Sequence, residues 1–430
     1  MTESLFITVF TWQPHLKTSI EIAIDEKKSG KSVKYCLVWA ANLEEGKSLI
    51  DYLRRTVRFL WAIYTLAKNK IPTCYFIVRS KKRFSENLSS ISELETIRYR
   101  NELIGLGIAS TLNDLIVENR LSSREALKLV NPSLNHASAV FDLAEQLISR
   151  FKPQRLYLFN PRFANTRPLY LAARKDRIPV LTYEIGSSNQ RYEILEGSIF
   201  DGEVRAKSII DHWSNGGPER EVVGKSYFTD LRNIASTTKG GLENRLNEFI
   251  VAGKINIVFF PSSIHETYAL GDLYRHHLFP SQSAAIDSLI KLCASNLNYN
   301  LILRIHPIVG TKSREEQDYW LSYSENKLIK VIHFNSSISS YVLSQAADRV
   351  FVYHSTIAVE LAFEGKSAMA LGSPWYIGLD CVYKPRSIKD IIRFIEQGNI
   401  SGIELKYQNS LLYGYYVKTF GREFKHLKGR

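Results

Sequence analysis

The sequence of 430 residues lacks long apolar segments, and no stretch reaches 18 uncharged apolar residues. This absence excludes an ordinary transmembrane helix. The opening residues, MTESLFITVF, lack the basic segment that begins a secretion signal, so we expect a cytoplasmic protein. Cysteine is scarce, and Cys36, Cys74, Cys293 and Cys381 show no Cys-x-x-Cys spacing. The pattern argues against a disulfide framework and against a zinc knuckle.

The sequence also lacks the familiar phosphate and metal motifs. It contains neither a glycine-rich dinucleotide fingerprint nor a P-loop. No Asp-x-Asp run is present to chelate a metal-bound diphosphate, which predicts a site without metal or cofactor. Any nucleotide must therefore be held by side chains and backbone dipoles.

Three predicted strands end in polar side chains that suit this task. These side chains are Ser262, Ser263 and Glu266 after strand 255–260, Arg304, His306 and Pro307 at the end of strand 299–304, and Ser355 and Thr356 after strand 349–353, followed by Glu360 on the next helix. In an open parallel sheet, ligands collect outside the carboxyl ends of the strands. The three strand ends therefore predict a nucleotide site, although Ser355 as a simple helix cap is an alternative interpretation.

Strand and helix patterns alternate along most of the chain. Buried strands are predicted at 33–39, 74–78, 155–159 and 179–183, and again at 255–260, 299–304, 329–333, 349–353 and 368–371. Residues 203–250 are predicted to be helical and polar, with glycine breaks that indicate a crossover near 240–252. We therefore expect an N-terminal domain over 1–250, a C-terminal domain over 251–400 and a terminal helix over 401–430.

The segments Arg304-Ile-His-Pro307 and Ser355-Thr356 resemble the His-Pro and Ser-Ser/Thr motifs of bacterial capsule-polysaccharide glycosyltransferases, in the Kdo-transferase-like and sialyltransferase-like branches. The resemblance covers roughly residues 155–390. It implies the α/β GT-B fold, with two facing Rossmann-like, doubly wound domains and an interdomain cleft. The first domain would bind the acceptor and the second the nucleotide sugar.

The resemblance also implies roles for individual residues. His306 would donate a hydrogen bond or a proton to the leaving phosphate, while Ser355 and Thr356 would form the anion site. Glu360 would bind ribose or base, or would be a surface carboxylate. An inverting transfer needs a base from the first domain, for which Glu184 is the first candidate and Asp201 the second. Alternatively, Glu184 is a structural partner of Arg191 or Arg162.

Several functions fit these residues. We expect an inverting, metal-independent glycosyltransferase of capsule or surface polysaccharide synthesis, with a CMP-sugar such as CMP-Kdo as donor and a glycan or glycolipid as acceptor. One alternative is an enzyme like the nucleotide-sugar 2-epimerases, which requires several carboxylates for proton abstraction. Another is a noncatalytic GT-B-fold binding protein that has lost its base.

The excess of basic residues is local. Residues 51–100 carry 11 Lys and Arg against 4 Asp and Glu, and residues 401–430 carry 6 against 2. The second stretch predicts a basic amphipathic helix with Tyr416, Phe420 and Phe424 on one face. Either its aromatic face packs on the protein body, or the basic stretches attract an anionic membrane surface at the cytoplasmic face. Nucleic acid is not expected, since no recognition motif accompanies the charge.

Overall fold

The chain folds into two compact units in this computed structural model, which describes residues 2–40, 48–199, 201–236, 243–262, 276–398 and 402–427. Unit 1 comprises Met1–Ile199 and Thr419–Arg430, and unit 2 comprises Phe200–Lys418. The helices predicted between 203 and 250 therefore lie in the second unit, which differs from the expected boundary at 250. Within the described residues, no helix combines the length and apolar character needed to cross a bilayer.

The described elements alternate between strand and helix through most of both units. The strands are β1 Ser4–Thr8, β2 Val33–Trp39, β3 Thr73–Ile77, β4 Arg155–Phe159, β5 Val180–Ile185, β6 Arg191–Glu196, β7 Ile255–Phe260, β8 Tyr299–Arg304, β9 Ile329–Ile332, β10 Arg349–Val352, β11 Ala368–Ala370 and β12 Arg422–Glu423. The α-helices are α1 His15–Lys28, α2 Leu49–Lys68, α3 Gly105–Val117, α4 Ser123–Phe151, α5 Arg167–Lys175, α6 Gly202–Ser214, α7 Arg220–Ser236, α8 Glu243–Leu246, α9 Gln282–Ala294, α10 Arg314–Leu321, α11 Ser340–Ala346, α12 Ile357–Phe363, α13 Ile388–Gln397 and α14 Ile403–Thr419. Short 3₁₀ turns lie at Ile91–Thr96, Pro307–Thr311, Ser322–Glu325 and Ile377–Leu379.

The sheet of unit 1 has the strand order β12-β6-β5-β4-β1-β2-β3. The strands from β5 to β3 pair in parallel, and β6 and β12 extend the sheet antiparallel beyond β5. Strand β1 lies in the middle of the parallel strands β5-β4-β1-β2-β3 and is buried along its whole length, as expected for a strand covered on both faces. The chain order reverses between β1 and β4, so helices cover both faces of the sheet.

The sheet of unit 2 is parallel throughout and has the order β11-β10-β7-β8-β9. Its central strands are runs of apolar residues, because both faces are covered; Phe259, Leu303 and Phe351 are fully buried. Chain order reverses between β7 and β10, which makes their carboxyl ends the topological switch point of the sheet. The predicted α/β class is confirmed: each unit has a Rossmann-like sheet built on parallel strands, and that of unit 1 carries an antiparallel extension.

The C-terminal segment differs from the predicted basic helix over 401–430. Helix α14 ends at Thr419, Gly421 adopts a positive φ of 92°, and Arg422–Glu423 pairs antiparallel with β6. Phe424 is buried against Tyr192. The tail is thus an edge strand of unit 1 and not a continuous amphipathic helix, since a left-handed glycine ends the helix before its last aromatic residue.

The aromatic residues of α14 pack on the protein body, which was the structural alternative for this segment. Tyr413 and Tyr416 are buried, and Tyr413 contacts Tyr227 of α7. The two helices approach closely at Gly224 and Gly414, where an added Cβ would lie 2.6 Å and 2.4 Å from the opposing carbonyl oxygens. Any side chain at either position would separate the helices.

Candidate functional site

A cavity of about 180 Å³ opens at the carboxyl edge of the unit 2 sheet. Its walls come from the segments that follow β7, β8, β9 and β10, so it lies at the topological switch point. The lining residues are Phe260, Pro261, Arg304, His306, Ser339, Ser340, Tyr341, Ser355, Thr356, Ile357 and Glu360. Hydroxyl groups, one imidazole and one guanidinium dominate this lining, which suits an anionic ligand.

His306 follows β8 and precedes the 3₁₀ turn that Pro307 opens. Its Nδ1 atom accepts a hydrogen bond from the backbone N–H of Ile308 at 3.1 Å. An accepting Nδ1 carries no proton, so the neutral ring bears its proton on Nε2. Burial lowers the pKa of His306, with further contributions from Arg304 and Lys312. The ring is therefore a neutral hydrogen-bond donor at pH 7, and Pro307 acts by shaping the turn.

Arg304 is the last residue of β8 and is 2% exposed. Its guanidinium donates to the carbonyls of Ile305 and His333, both at 2.7 Å, and more weakly to those of Ser336 and Ile338. Burial lowers the pKa of Arg304 to about 10, which still leaves the group charged at neutral pH. The residue fixes the segment after β9 and places a positive charge in the cavity wall.

Ser355 and Thr356 lie between β10 and α12, as predicted. The Oγ atom of Ser355 accepts from the backbone N–H of Ile357 at 3.4 Å, and the hydroxyl of buried Tyr376 donates to the Ser355 carbonyl. These contacts fix the Ser355 backbone on one side of the cavity. Because its oxygen is the acceptor for Ile357, the hydroxyl proton of Ser355 remains to be donated.

The strand end after β7 contributes to the same wall. Pro261 lines the cavity, while the backbone of buried Ser262 exchanges two hydrogen bonds with the Gln282 side chain, of 2.8 Å and 3.1 Å. Ser262 thus anchors the loop rather than lining the cavity. Ser263 and Glu266, also predicted to bind the nucleotide, lie outside the described residues.

Glu360 stands one turn into α12 and lines the cavity. Burial raises its pKa to about 7, because the charged carboxylate is poorly solvated there. A second cavity of about 90 Å³ shares Glu360 and Tyr341 with the first. Its remaining lining includes Arg232 and Glu364, which form an ion pair.

Ser339, Ser340 and Tyr341 are cavity residues that the sequence reasoning missed. They lie at the start of α11, after the β9 strand end. A signal was present, since the serines at 336, 337, 339 and 340 follow a predicted strand and so approach the same sheet edge. The structure therefore brings four strand ends to the site, where the sequence indicated three.

Glu184, the predicted base, lies in unit 1 at the carboxyl end of β5. Asn160 donates to its Oε2 at 3.3 Å, and Nδ1 of His15 lies 3.4 Å from its Oε1. Burial lowers the pKa of His15 to about 4, so this imidazole is neutral at pH 7. Three strand-end segments of unit 1, those after β1, β4 and β5, thus meet at Glu184.

The arginines considered as structural partners of Glu184 have other contacts. Arg162 pairs with Asp114, and Arg191 bonds the Thr419 carbonyl and approaches Glu423. Glu184 thus lies in a polar group formed with an amide and a neutral imidazole. Among the described residues, the salt bridge to Arg162 or Arg191 that would have marked Glu184 as structural is not formed.

Asp201, the second candidate base, is the N-cap of α6 and belongs to unit 2. Its Oδ1 accepts from the backbone N–H groups of Glu203 at 2.9 Å and Val204 at 3.3 Å. This geometry is that of a helix cap. The described part of the chain holds no group of three or more His, Cys, Asp or Glu side chains arranged for a metal ion.

The sequence matches no protein-family profile and no curated protein. Among solved structures, the chain is similar to the β-Kdo 2,4 transferase of Thermosulfurimonas dismutans KpsC, at 14% identity over 60% of this chain and 79% of that chain, with a TM-score of 0.37. It is also similar to a UDP-GlcNAc 2-epimerase from Neisseria meningitidis bound to UDP-GlcNAc, at 13% identity over 97% and 96% of the two chains, with a TM-score of 0.29.

Proposed function

We propose that the protein is an inverting glycosyltransferase that binds the phosphate of a nucleotide sugar in the cavity at the carboxyl edge of unit 2. The observation that carries the proposal is the convergence of the His306 ring and the hydroxyls of Ser355 and Thr356 around one cavity. These are the groups whose motifs resemble the Kdo-transferase-like and sialyltransferase-like enzymes. That resemblance favours a CMP-sugar such as CMP-Kdo as donor, used in capsule or surface polysaccharide synthesis with a glycan or glycolipid acceptor.

The cavity suits the phosphate end of the donor. Its volume of about 180 Å³ is below the ~300–1,000 Å³ of pockets that enclose whole small-molecule ligands, so the sugar would extend beyond these residues. The Nε2–H of His306 and the serine hydroxyls would donate to the phosphate oxygens. The buried charge of Arg304 would add a favourable potential at the same place.

In the proposed reaction, an acceptor hydroxyl attacks the anomeric carbon while the bond from that carbon to the phosphate oxygen breaks. The bonding electrons leave with the phosphate, so negative charge grows there in the transition state. Donors that are already oriented by the protein stabilise this charge without reorganisation, which lowers the barrier. We assign the acceptor proton to Glu184, since a carboxylate can act as the general base of such a transfer.

Thermal unfolding with added nucleotide tests the donor site. A ligand that binds the native state raises its melting temperature, so CMP should do so for the wild type. Ser355→Ala should weaken the shift, while Ser295→Ala, in an exposed position after α9, should leave it unchanged. Equal shifts for wild type and Ser355→Ala would remove Ser355 from the site. If neither CMP nor UDP raises the melting temperature, the alternative of a protein that binds no nucleotide would be favoured.

Product analysis tests the reaction itself. Incubation with CMP-Kdo and a glycan acceptor should release CMP and lengthen the acceptor, and excess EDTA should leave the rate unchanged. Conversion of UDP-GlcNAc to its 2-epimer without an acceptor would instead establish an epimerase. Activity that is lost on chelation and restored by Mg²⁺ or Mn²⁺ would overturn the metal-independent mechanism.

A further inference from the structure

Helix α2 presents two apolar faces, and the described residues cover only one of them. On the covered side, Ala62 and Leu66 are buried, and Phe59 packs edge-on against Trp39 with ring centroids 5.2 Å apart. Arg55 stacks on the same indole, 4.3 Å from its centroid. These contacts hold α2 against the end of β2. The opposite face of the helix is therefore directed away from the body of unit 1.

The uncovered face carries a stripe of large apolar side chains. Its members are Leu49, Ile50, Leu53, Val57, Leu60 and Tyr64. Their exposed fractions range from 54% to 74%. At 100° per residue they fall within a sector about 100° wide, and they extend for about 22 Å along the helix axis. Single exposed apolar residues need no explanation, but a continuous stripe of this size indicates an interaction surface.

The edge strand β3 also exposes apolar side chains. Tyr75 and Ile77 are 49% and 68% exposed, and Ile77 pairs in register with Trp39 of β2. Residues in register on neighbouring strands point to the same face of the sheet, so both side chains lie on the face that α2 covers. Helix α2 and the edge strand β3 thus both expose apolar side chains in unit 1, and the α2 stripe and these two residues are together called the α2 surface.

Positive charge borders the α2 surface. Arg54 and Arg58 lie beside the stripe on α2, and the exposed residues Arg79, Lys81 and Lys82 follow β3 directly. Within the described residues, no ion pair is formed by Arg58, Arg79, Lys81 or Lys82. Arg54 makes one long ion-pair contact, of 3.9 Å, with Asp51. An apolar stripe flanked by cations matches a bilayer surface, in which anionic headgroups cover an apolar interior.

We propose that the α2 surface docks on an anionic lipid bilayer, with α2 lying in the plane of the interface. The apolar stripe would enter the headgroup region, the tyrosines would sit at its polar boundary, and the arginines would contact lipid phosphates. A second copy of the chain is a poorer occupant. A two-fold dimer through this surface would bring the same cations of both copies together. Asp51 is the sole acidic residue of α2 and would be the helix's one group of opposite charge.

Vesicle flotation tests this docking without measuring catalysis, so its outcome is independent of the proposed transferase activity. The wild type should bind vesicles of phosphatidylglycerol and phosphatidylcholine, and bind pure phosphatidylcholine at least tenfold more weakly. The triple variant Leu53→Gln/Val57→Gln/Leu60→Gln should lose at least tenfold in binding to the anionic vesicles. Its matched control, Val222→Gln/Leu297→Gln/Leu405→Gln, removes three exposed aliphatic residues of unit 2 and should bind normally.

A charge variant keeps the test decisive if the triple variant does not fold. Arg54→Glu/Arg58→Glu changes only side chains at the helix surface and should bind anionic vesicles no better than neutral ones. Failure of the wild type to bind anionic vesicles overturns the proposal, as does equal binding by wild type and the triple variant. Sedimentation velocity completes the test, because a wild-type dimer that the triple variant converts to a monomer, without vesicle binding, would assign the surface to a second copy.

Discussion

The Nδ1 atom of His306 accepts a hydrogen bond from the backbone N–H of Ile308 at 3.1 Å. This contact fixes the tautomer of the ring and directs its single proton to Nε2. The same contact caps the 3₁₀ turn at Pro307–Thr311, so the imidazole has a structural role on one nitrogen and a proposed binding role on the other. The two roles can be separated by substitution.

His306→Asn should retain the structural role and lose the binding role. The Asn side-chain oxygen reaches the Nδ1 position and can accept from Ile308, but nothing replaces Nε2–H. We expect turnover to fall by about 10² or more, with an unchanged melting temperature. His306→Gln places an amide N–H near the Nε2 position, so it should retain more turnover than His306→Asn. Its melting temperature should be lower than that of His306→Asn. Normal turnover in His306→Asn would show that the Nε2 proton plays no part.

Much of the fold could be predicted from the sequence because buried parallel strands leave an unmistakable pattern. The strands at 33–39, 155–159, 255–260 and 299–304 have the predicted bounds, since each is a short apolar run between polar segments. The two-residue strand β12 could not be predicted. Its pairing with β6 depends on contacts more than two hundred residues away in sequence, and the aromatic spacing of the tail favoured a helix.

The site was predictable at the level of strand ends but not of contacts. Sequence order places His306 and Ser355 at one edge of a parallel sheet, because successive strands point the same way. It does not reveal that Arg304 donates to backbone carbonyls, since backbone acceptors carry no residue identity. The raised pKa of Glu360 likewise arises from tertiary burial. Nor does the sequence reveal that Asp201 caps α6, since the same residue type serves as a helix cap and as a catalytic carboxylate.

Glu360 should make stability and nucleotide binding depend on pH. Its pKa is raised to about 7 in the folded state from 4.5, so its contribution to stability is present below pH 4.5 and is lost as pH rises through 7. Glu360→Gln should therefore gain stability relative to wild type between pH 5 and pH 8, by about 2–3 kcal/mol in urea unfolding. Exposed Glu396→Gln is the control and should show no such gain.

The same carboxyl group should affect the nucleotide. Above pH 7 the Glu360 carboxylate repels a phosphate in the cavity, so the affinity of the wild type for CMP should rise as pH falls from 8 to 6. Calorimetric titration of Glu360→Gln should give a flatter dependence over this range. An identical pH dependence in both proteins would mean that Glu360 does not interact with the bound phosphate.

Substitution of Arg304 should act mainly on the stability of the fold. The planar guanidinium donates to several carbonyls at once, and a Lys ammonium cannot reproduce that fork. Arg304→Lys leaves buried carbonyls without donors, so we expect a loss of about 2–4 kcal/mol in the free energy of unfolding. Chemical denaturation measures this loss, with exposed Arg314→Lys as the control. A loss as small as that of the control would show that the carbonyls find other donors.

Glu184 provides the test of the proposed base. Glu184→Gln keeps an amide oxygen that can accept from Asn160 but can no longer take a proton, so turnover should fall by about 10² or more. Affinity for CMP should stay unchanged, because the residues of the proposed phosphate site all belong to unit 2. Glu196→Gln, an exposed position at the end of β6, is the matched control and should retain full turnover. If Glu184→Gln turns over normally, the acceptor proton goes to another group; if it loses CMP affinity as well, the substitution has acted through the structure and Glu184 is not the base.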